Sequence, residues 1–267
     1  MGEYIDKRHE IFLKKNKRHK ILILTAQLGV LAVFAALWEI SAALGWIDPF
    51  LMSSPSRIWN TLAELYADGA LFYHIWISLY ETILGFVIGT AAGTAVAVIM
   101  WWSRSVREVL QPYVVVLNSL PKIALGPVII VWAGTGQKAI VFMAVLISVI
   151  VTIITMLGGF MQTSPEKILL MRAMNAGKLQ IFTKLVFPSN MSTLASCLKI
   201  NVGMAWIGSI MGEYLVSRAG LGYLIVYGGQ VFQMDLVMAC TIVLCLLAGG
   251  MYFLVALLER FMVRWQS

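Results

Sequence analysis

Charged residues are scarce in this chain. Only 12% of its 267 residues are Asp, Glu, Lys or Arg, whereas soluble domains typically carry about 25%. Hydrophobic residues make up 60%, and the mean hydropathy is +0.84. This composition excludes an ordinary soluble domain and predicts an integral membrane protein.

The signatures of enzyme chemistry are also missing. The three cysteines fall in apolar stretches without ligand spacing, and the three histidines are too scattered for a metal site. The glycine-rich segment Gly134–Ala139 lacks the GxxxxGK[ST] spacing of a phosphate-binding loop. We therefore expect no enzyme, no catalytic residue, no metal and no cofactor, and no basic patch interleaved with aromatic residues suggests nucleic acid.

Long apolar runs dominate what is present. A helix needs about 20 apolar residues to cross the hydrocarbon layer, and alternating strand patterns are absent. The sequence therefore predicts an all-α, polytopic membrane helical bundle at residues 21–267, after a basic cytoplasmic N-terminal segment at residues 1–20. The six predicted transmembrane helices are Ile21–Leu44, Ile75–Trp102, Tyr113–Trp132, Ala139–Phe160, Met191–Met211 and Leu236–Leu258.

The distribution of Lys and Arg predicts the orientation, because cytoplasmic loops retain positive charge. With both termini in the cytoplasm, fifteen of the 20 basic residues fall in cytoplasmic segments. The outer loops then keep only Arg57, Lys138 and Arg218, while Lys122 and Lys199 lie within spans or at their ends.

The second span carries Gly85, Gly89 and Gly93 at intervals of four residues. Such spacing lets another helix approach closely. We expect this helix to pack inside the bundle.

The third span is unusually polar. It contains Asn118, Ser119 and Lys122, together with Pro121 and Pro127. Polar side chains at membrane depth favour a water-filled cavity or a bundle interior. The alternative is a kinked helix that begins near the cytoplasmic surface, with Lys122 reaching to water.

The fifth span repeats polar residues at roughly helical spacing: Asn201, Trp206, Ser209 and Glu213. They predict a polar seam on one face. The seam either lines a path or joins helices by hydrogen bonds.

A polar island, MQTSPEKILLMRAMNAGKLQIFTKLVFP, occupies residues 161–188 between the fourth and fifth spans. Its sequence predicts two short helical segments joined by a turn at Asn175–Gly177, because Asn and Gly tolerate left-handed backbone. Such an insert either docks into the groove of a partner or rests as an amphipathic loop on the lipid headgroups.

This island resembles the cytoplasmic loop of the inner-membrane permeases of binding-protein-dependent ABC importers, in the nitrate, sulfonate, taurine and bicarbonate branch. Their pattern is close to EAAxxxGAxxxxxFxxxxxP, and alignment from the proline matches Ala176, Phe182 and Pro188. Residues 169–171, Leu-Leu-Met, stand where Glu-Ala-Ala is usual, and Asn175 replaces the glycine.

Two further segments carry the resemblance. Residues 120–136, LPKIALGPVIIVWAGTG, are similar to the span that follows an LP pair in this branch. Residues 203–225, GMAWIGSIMGEYLVSRAGLGYLI, are similar to the end of its fifth span and the outer loop after it. The similarity extends from about Trp38 to Glu259.

The resemblance implies a type I ABC importer permease (MetI-like) fold in the bacterial cytoplasmic (inner) membrane. It implies a second permease copy, usually as a homodimer, a separate ATPase subunit dimer, and an extracytoplasmic substrate-binding protein. Coupling to the ATPase is then expected at Arg172, Asn175, Ala176, Gly177, Phe182 and Pro188, with Phe182 as the apolar anchor in the ATPase groove. The translocation path is expected at Asn118, Ser119, Lys122, Asn201, Trp206 and Ser209. The outer gate, on the binding-protein side, is expected at Glu213, Gly220, Gly222 and Tyr223.

Several functions stay open at the level of sequence. The expected solute is a small polar or anionic molecule such as a sulfonate, taurine or nitrate. The same branch also includes permeases for heterocyclic vitamin precursors of the thiamine pyrimidine or riboflavin type. A self-sufficient secondary transporter or channel is a different class, but the sequence lacks the intramembrane acid clusters and inverted repeats that would couple ions. A membrane scaffold without transport would leave the polar third span without a purpose.

Overall fold

The computed structural model describes residues 2–263 and contains only helices and connecting turns over that range. We number thirteen α-helices in chain order. They are α1 (Gly2–Ala43), α2 (Pro49–Met52), α3 (Pro55–Ala67), α4 (Ala70–Trp102), α5 (Arg104–Ser119), α6 (Gly126–Ala133), α7 (Gln137–Met161), α8 (Pro165–Ala173), α9 (Lys178–Ile181), α10 (Phe187–Ser189), α11 (Met191–Val216), α12 (Leu221–Gln230) and α13 (Met234–Val263). A 3₁₀ turn (Lys122–Leu125) precedes α6, and a π-helical segment (Phe182–Val186) lies between α9 and α10.

Five helices in the described part of the chain, α1, α4, α7, α11 and α13, are long and apolar enough to cross a membrane. They correspond to the first, second, fourth, fifth and sixth predicted spans. The second begins earlier than predicted, at Ala70, and α1 extends toward the N-terminus beyond the apolar run.

The third predicted span is bent rather than straight, as in the kinked-helix alternative. The structure divides this region into α5 and Lys122–Ala133, which contains the 3₁₀ turn and α6, and the two parts meet at an angle of 91°. Leu120 has an extended backbone, with ψ 139°, because the ring of Pro121 disfavours helical geometry in the residue before it. We call α5, the 3₁₀ turn and α6 the bent pair.

The centre of the bundle is a three-helix core of α4, α7 and α11. The predicted glycine stripe lies at its heart, since Gly85, Gly89 and Gly93 approach Ala144, Ser148 and Thr152 of α7 so closely that a Cβ at any of them would overlap these residues. The residue numbers of both helices increase in the same direction along this contact, so α4 and α7 run parallel. The chain must therefore cross the bundle once more after α4 and before α7. The bent pair makes this crossing, and it brings the number of possible spans in the described residues to six.

The third core helix, α11, runs antiparallel to α7. A Cβ at Gly212 would lie 2.8 Å from Ile140 Cα, and one at Gly208 would overlap the backbone of Ala144. The bundle therefore has two ends. The connection end holds the last turns of α4 and α7 and the residues that follow α7, and the opposite end holds α3 and α12.

Candidate functional site

The polar island forms a distinct structure at the connection end. Helix α8 stops at a turn in which Asn175 has φ +59°, the left-handed conformation that its side chain tolerates. The N–H of Ala176 then donates to Met171 O at 3.0 Å and closes the turn. Gly177 is extended and begins α9, so the chain reverses on Asn175. We call residues 162–190 the connection.

Phe182 fixes the connection to the body of its own chain. Its ring centroid lies 5.1 Å from that of Trp101, 5.6 Å from Phe160 and 5.9 Å from Phe187. Phe182 is half-buried in this cluster and connects the π-helical segment to the ends of α4 and α7. Its insertion into the groove of a partner stays a prediction.

Other apolar side chains of the connection remain uncovered. Leu169, Leu170, Met174 and Leu179 are each more than 60% exposed, and Arg172 and Asn175 are exposed beside them. Pro188 lies in the short helix α10, at the far end of the connection. A surface of this kind, outside the membrane-spanning helices, is typical of a protein–protein contact.

The predicted seam of α11 is buried inside the core. The Asn201 amide donates to Thr90 Oγ1 at 2.9 Å and to Thr152 Oγ1 at 2.6 Å, and it joins α11 to α4 and α7. Ser209 and Thr82 share a hydrogen bond of 2.5 Å between their hydroxyl groups. Asn201 and Ser209 are both 0% exposed.

Trp206 is also buried, and it packs with Val202 and Val255. Trp206 also lines a cavity of about 270 Å³ between α11 and α13. Asn201 and Ser209 therefore join helices by hydrogen bonds within this chain, and a place for the three residues on the translocation path stays a prediction.

The other predicted path residues lie at the bend of the bent pair. Asn118 and Ser119 are exposed, and Lys122 is half-buried. The Lys122 ammonium donates to Asn118 O at 3.1 Å, and Ser119 Oγ donates to Val115 O at 3.0 Å. These three residues remain on an accessible surface of the chain.

At the opposite end, side chains of two core helices hold the start of α12. The four backbone N–H groups of residues 220–223 need acceptors, because the first turn of a helix has none of its own. His74 Nδ1 accepts from the N–H of residue 220 at 2.9 Å, and Ser78 Oγ accepts from the N–H of residue 221 at 2.8 Å. Glu213 Oε2 accepts from the N–H groups of residues 222 and 223, at 2.7 and 3.4 Å. We call these contacts the α12 clamp.

The clamp explains two glycines of the predicted outer gate. Gly220 has φ +114°, and a Cβ there would overlap the Glu213 carboxylate. A Cβ at Gly222 would lie 2.9 Å from Glu213 Cβ. Tyr223 stacks on the His74 ring with centroids 6.3 Å apart. The structure thus brings together all four residues predicted for this site.

Sequence reasoning missed three members of this region. His74 and Ser78 belong to it by their contacts, and the buried side chain of Glu81 is close enough to Glu213 to interact electrostatically. One oxygen of each carboxyl group is buried without a hydrogen-bond partner. An acid inside an apolar span was a usable signal for Glu81, but nothing in the sequence indicated its partner.

The comparisons with known proteins agree with this geometry. Residues 85–264 match the family described as binding-protein-dependent transport system inner membrane component. A probable ABC transporter permease protein of Haemophilus influenzae is 30% identical over 236 residues, which cover 87% of this chain and 94% of that protein. A putative aliphatic sulfonates transport permease protein of Bacillus subtilis is 26% identical over 88% of this chain and 86% of its own length.

Solved structures show the same fold. A chain of the inward-facing MetNI methionine ABC transporter superposes with a TM-score of 0.67 at 18% identity, over 73% of this chain and 97% of its own. A bacterial ABC transporter involved in the import of the acidic polysaccharide alginate gives a TM-score of 0.65 at 13% identity, over 89% and 95%.

The family match covers more than half of the chain, and the predicted MetI-like helical fold is confirmed. This chain belongs to the family of binding-protein-dependent transport system inner membrane components, as a multi-pass permease subunit of the ABC importer type.

Proposed function

We propose that two copies of this chain form the membrane pathway of an ATP-driven importer for a small organic anion. A separate ATPase dimer binds the connections, and an extracytoplasmic binding protein delivers the solute at the opposite end. The observation that carries this proposal is the exposed apolar surface of the connection, formed by Leu169, Leu170, Met174 and Leu179. Arg172, Asn175, Ala176 and Gly177 shape this surface, while Phe182 holds it to the core.

The orientation follows from charge. Arg104, Lys167, Arg172, Lys178 and Lys184 all belong to the connection end, and cytoplasmic segments retain positive charge. We therefore place the connection and both termini in the cytoplasm. Reporter fusions at the two termini test this: green fluorescent protein fluoresces at a cytoplasmic terminus, whereas alkaline phosphatase is active only outside.

The names of the relatives leave two solute classes to compare. Relatives named for aliphatic sulfonates and taurine are 26% and 23% identical. Relatives named for formylaminopyrimidine and riboflavin are 29% and 26% identical, so identity does not separate the classes. The accessible Lys122 at the bend favours an anion, and the heterocyclic vitamin precursors are the second candidate. Uptake of a labelled aliphatic sulfonate and of formylaminopyrimidine by the complete transporter separates the two.

The coupling proposal is tested by recovery of an ABC ATPase subunit during purification from the native host, identified by mass spectrometry. Leu179→Ala removes an exposed contact, so we expect recovery to fall several-fold while the thermal stability of the permease changes by less than about 0.5 kcal/mol. Phe182→Ala should also lower recovery, but it should cost about 3 kcal/mol of stability because the substitution leaves a gap in the aromatic packing.

The matched control is Leu246→Ala. Leu246 is 71% exposed on α13, away from the connection, so its replacement should leave both recovery and stability unchanged. Equal ATPase recovery from all three variants would contradict the assigned surface. A chain that purifies alone and moves solute in liposomes without ATP would instead indicate a self-sufficient carrier or channel.

A further inference from the structure

A cavity of about 330 Å³ lies between α5 and the last turns of α7. Its walls are mostly apolar, with Val114, Ile154 and Leu157 among them, and its polar groups come from Arg107 and Gln111. Gly158 also lines it, and a Cβ there would meet nothing within 4 Å. The cavity therefore has room for a small molecule with an apolar part.

Arg107 is the charged group of this cavity. Its guanidinium donates to Met161 Sδ at 2.9 Å, and a thioether sulfur is a weak acceptor. Glu108, the next residue, is paired with Arg104 at 2.8 Å. Among the side chains that the structure describes, no carboxylate forms an ion pair with Arg107, and the Glu108 carboxylate interacts with it only over a longer distance. Most of the five guanidinium donors thus remain for an anion.

The same face of α5 leads away from the cavity to the bend. At 100° per residue, Arg107, Gln111, Val114 and Asn118 fall within about 60° of one another around the helix axis. Asn118 lies about 16 Å along the axis from Arg107, and it accepts from Lys122. This face therefore has one cation near each end and amide groups between them.

We propose that Arg107 and Gln111 form an anion-binding site at the connection end of the solute path, and that this path follows α5 to Asn118 and Lys122. The ligand is a small organic molecule with a sulfonate, phosphate or similar oxyanion group and a short apolar part. The guanidinium fork matches an oxyanion in two hydrogen bonds, and the apolar walls cover the remainder. The identity of the physiological ligand rests on the proposed import function, but the anion-binding site itself is inferred from the cavity and its polar groups.

The test is equilibrium binding of labelled 1-butanesulfonate, with taurine as competitor, to the permease in phosphatidylcholine nanodiscs. Arg107→Gln should weaken binding at least about tenfold, as expected for the loss of a charge-assisted hydrogen bond. Gly158→Leu should block the cavity and have a similar effect. Lys184→Gln is the matched control, since Lys184 is an exposed cation at the same end of the bundle and lies outside the cavity. Gly249→Leu controls for bulk, because a Cβ at Gly249 also meets nothing within 4 Å.

A lipid headgroup would present the same oxyanion chemistry. Native mass spectrometry of nanodiscs that contain phosphatidylglycerol distinguishes the two sources. Retention of this lipid that depends on Arg107, without binding of either sulfonate, would support the anion site but assign it to a headgroup. Equal binding by all variants, or no anion binding in either arm while melting temperatures are unchanged, would overturn the proposal. The assay uses no ATPase, so this failure is distinct from failure to recover the ATPase subunit.

Discussion

The three-helix core and the bent pair differ in what covers them. In the core, Ala139, Ala144 and Ala205 are 0% exposed, and glycines bring the backbones of neighbouring helices into contact. In the bent pair, no residue of α5 is buried, and Val131 and Trp132 of α6 are 81% and 78% exposed. The core is therefore specified by contacts within one chain. The bent pair instead presents an apolar face that lipid or a second copy must cover.

The most damaging change that we predict is Gly208→Leu in the core. Its Cβ would overlap the Ala144 backbone, which cannot move without separating α11 from α7. Overpacking typically costs about 1–3 kcal/mol and sometimes more, and a direct backbone overlap belongs to the upper end. We expect little folded protein after solubilisation in mild detergent, as measured by size-exclusion chromatography with fluorescence detection.

Gly203→Leu is the control for this change. It lies on the same helix, where a Cβ would meet nothing within 4 Å, so it should give a normal yield and elution profile. If Gly208→Leu also folds normally, the core is not as tightly specified as the comparison implies.

A smaller effect is predicted at the edge of the core, in the α12 clamp. Glu213→Ala removes the acceptor for two N–H groups at the start of α12, which should cost about 1–3 kcal/mol. Hydrogen exchange in nanodiscs should show faster exchange at residues 222 and 223, with little change in α7. Glu213→Gln retains an amide oxygen as acceptor and should restore much of the protection.

Thr241→Ala is the matched control for the clamp. The Thr241 hydroxyl donates to Val237 O within its own helix at 2.7 Å and is exposed, so its loss should be nearly neutral. Faster exchange throughout α4, α7 and α11 in Glu213→Ala would mean that the clamp supports the entire core, and would remove the distinction between centre and edge.

Hydropathy and glycine spacing predicted the core well, because both report directly on physical requirements. A span must be apolar over a fixed length, and the close contact of α4 with α7 requires glycine at positions 85, 89 and 93. The sequence also placed the turn at Asn175, since few residues other than Gly adopt positive φ so readily. These features are local, and a local pattern is sufficient to find them.

The site was predicted less completely because its contacts are between helices. Periodicity showed that Asn201 and Ser209 share a face of α11, but it did not reveal that this face meets α4 and α7. His74 and Ser78 gave no signal, since their role depends on a turn about 145 residues later in the chain. Phe182 matched a family pattern by position, yet its partners, Trp101 and Phe160, come from helices that the pattern does not include.

The smallest effect on the single chain is predicted for Trp132→Ala in the bent pair. Trp132 is 78% exposed, so its loss should change the stability of the isolated chain by less than about 0.5 kcal/mol. Ile129 lies on the same helix and is 3% exposed, so Ile129→Ala should cost about 2–5 kcal/mol. If a second copy covers this face, however, Trp132→Ala should weaken the association of two chains, because aromatic anchors dominate such interfaces. Subunit association in lipid, followed by fluorescence energy transfer between labelled copies, separates the two possibilities. Unchanged association would mean that lipid, and not a second copy, covers Trp132.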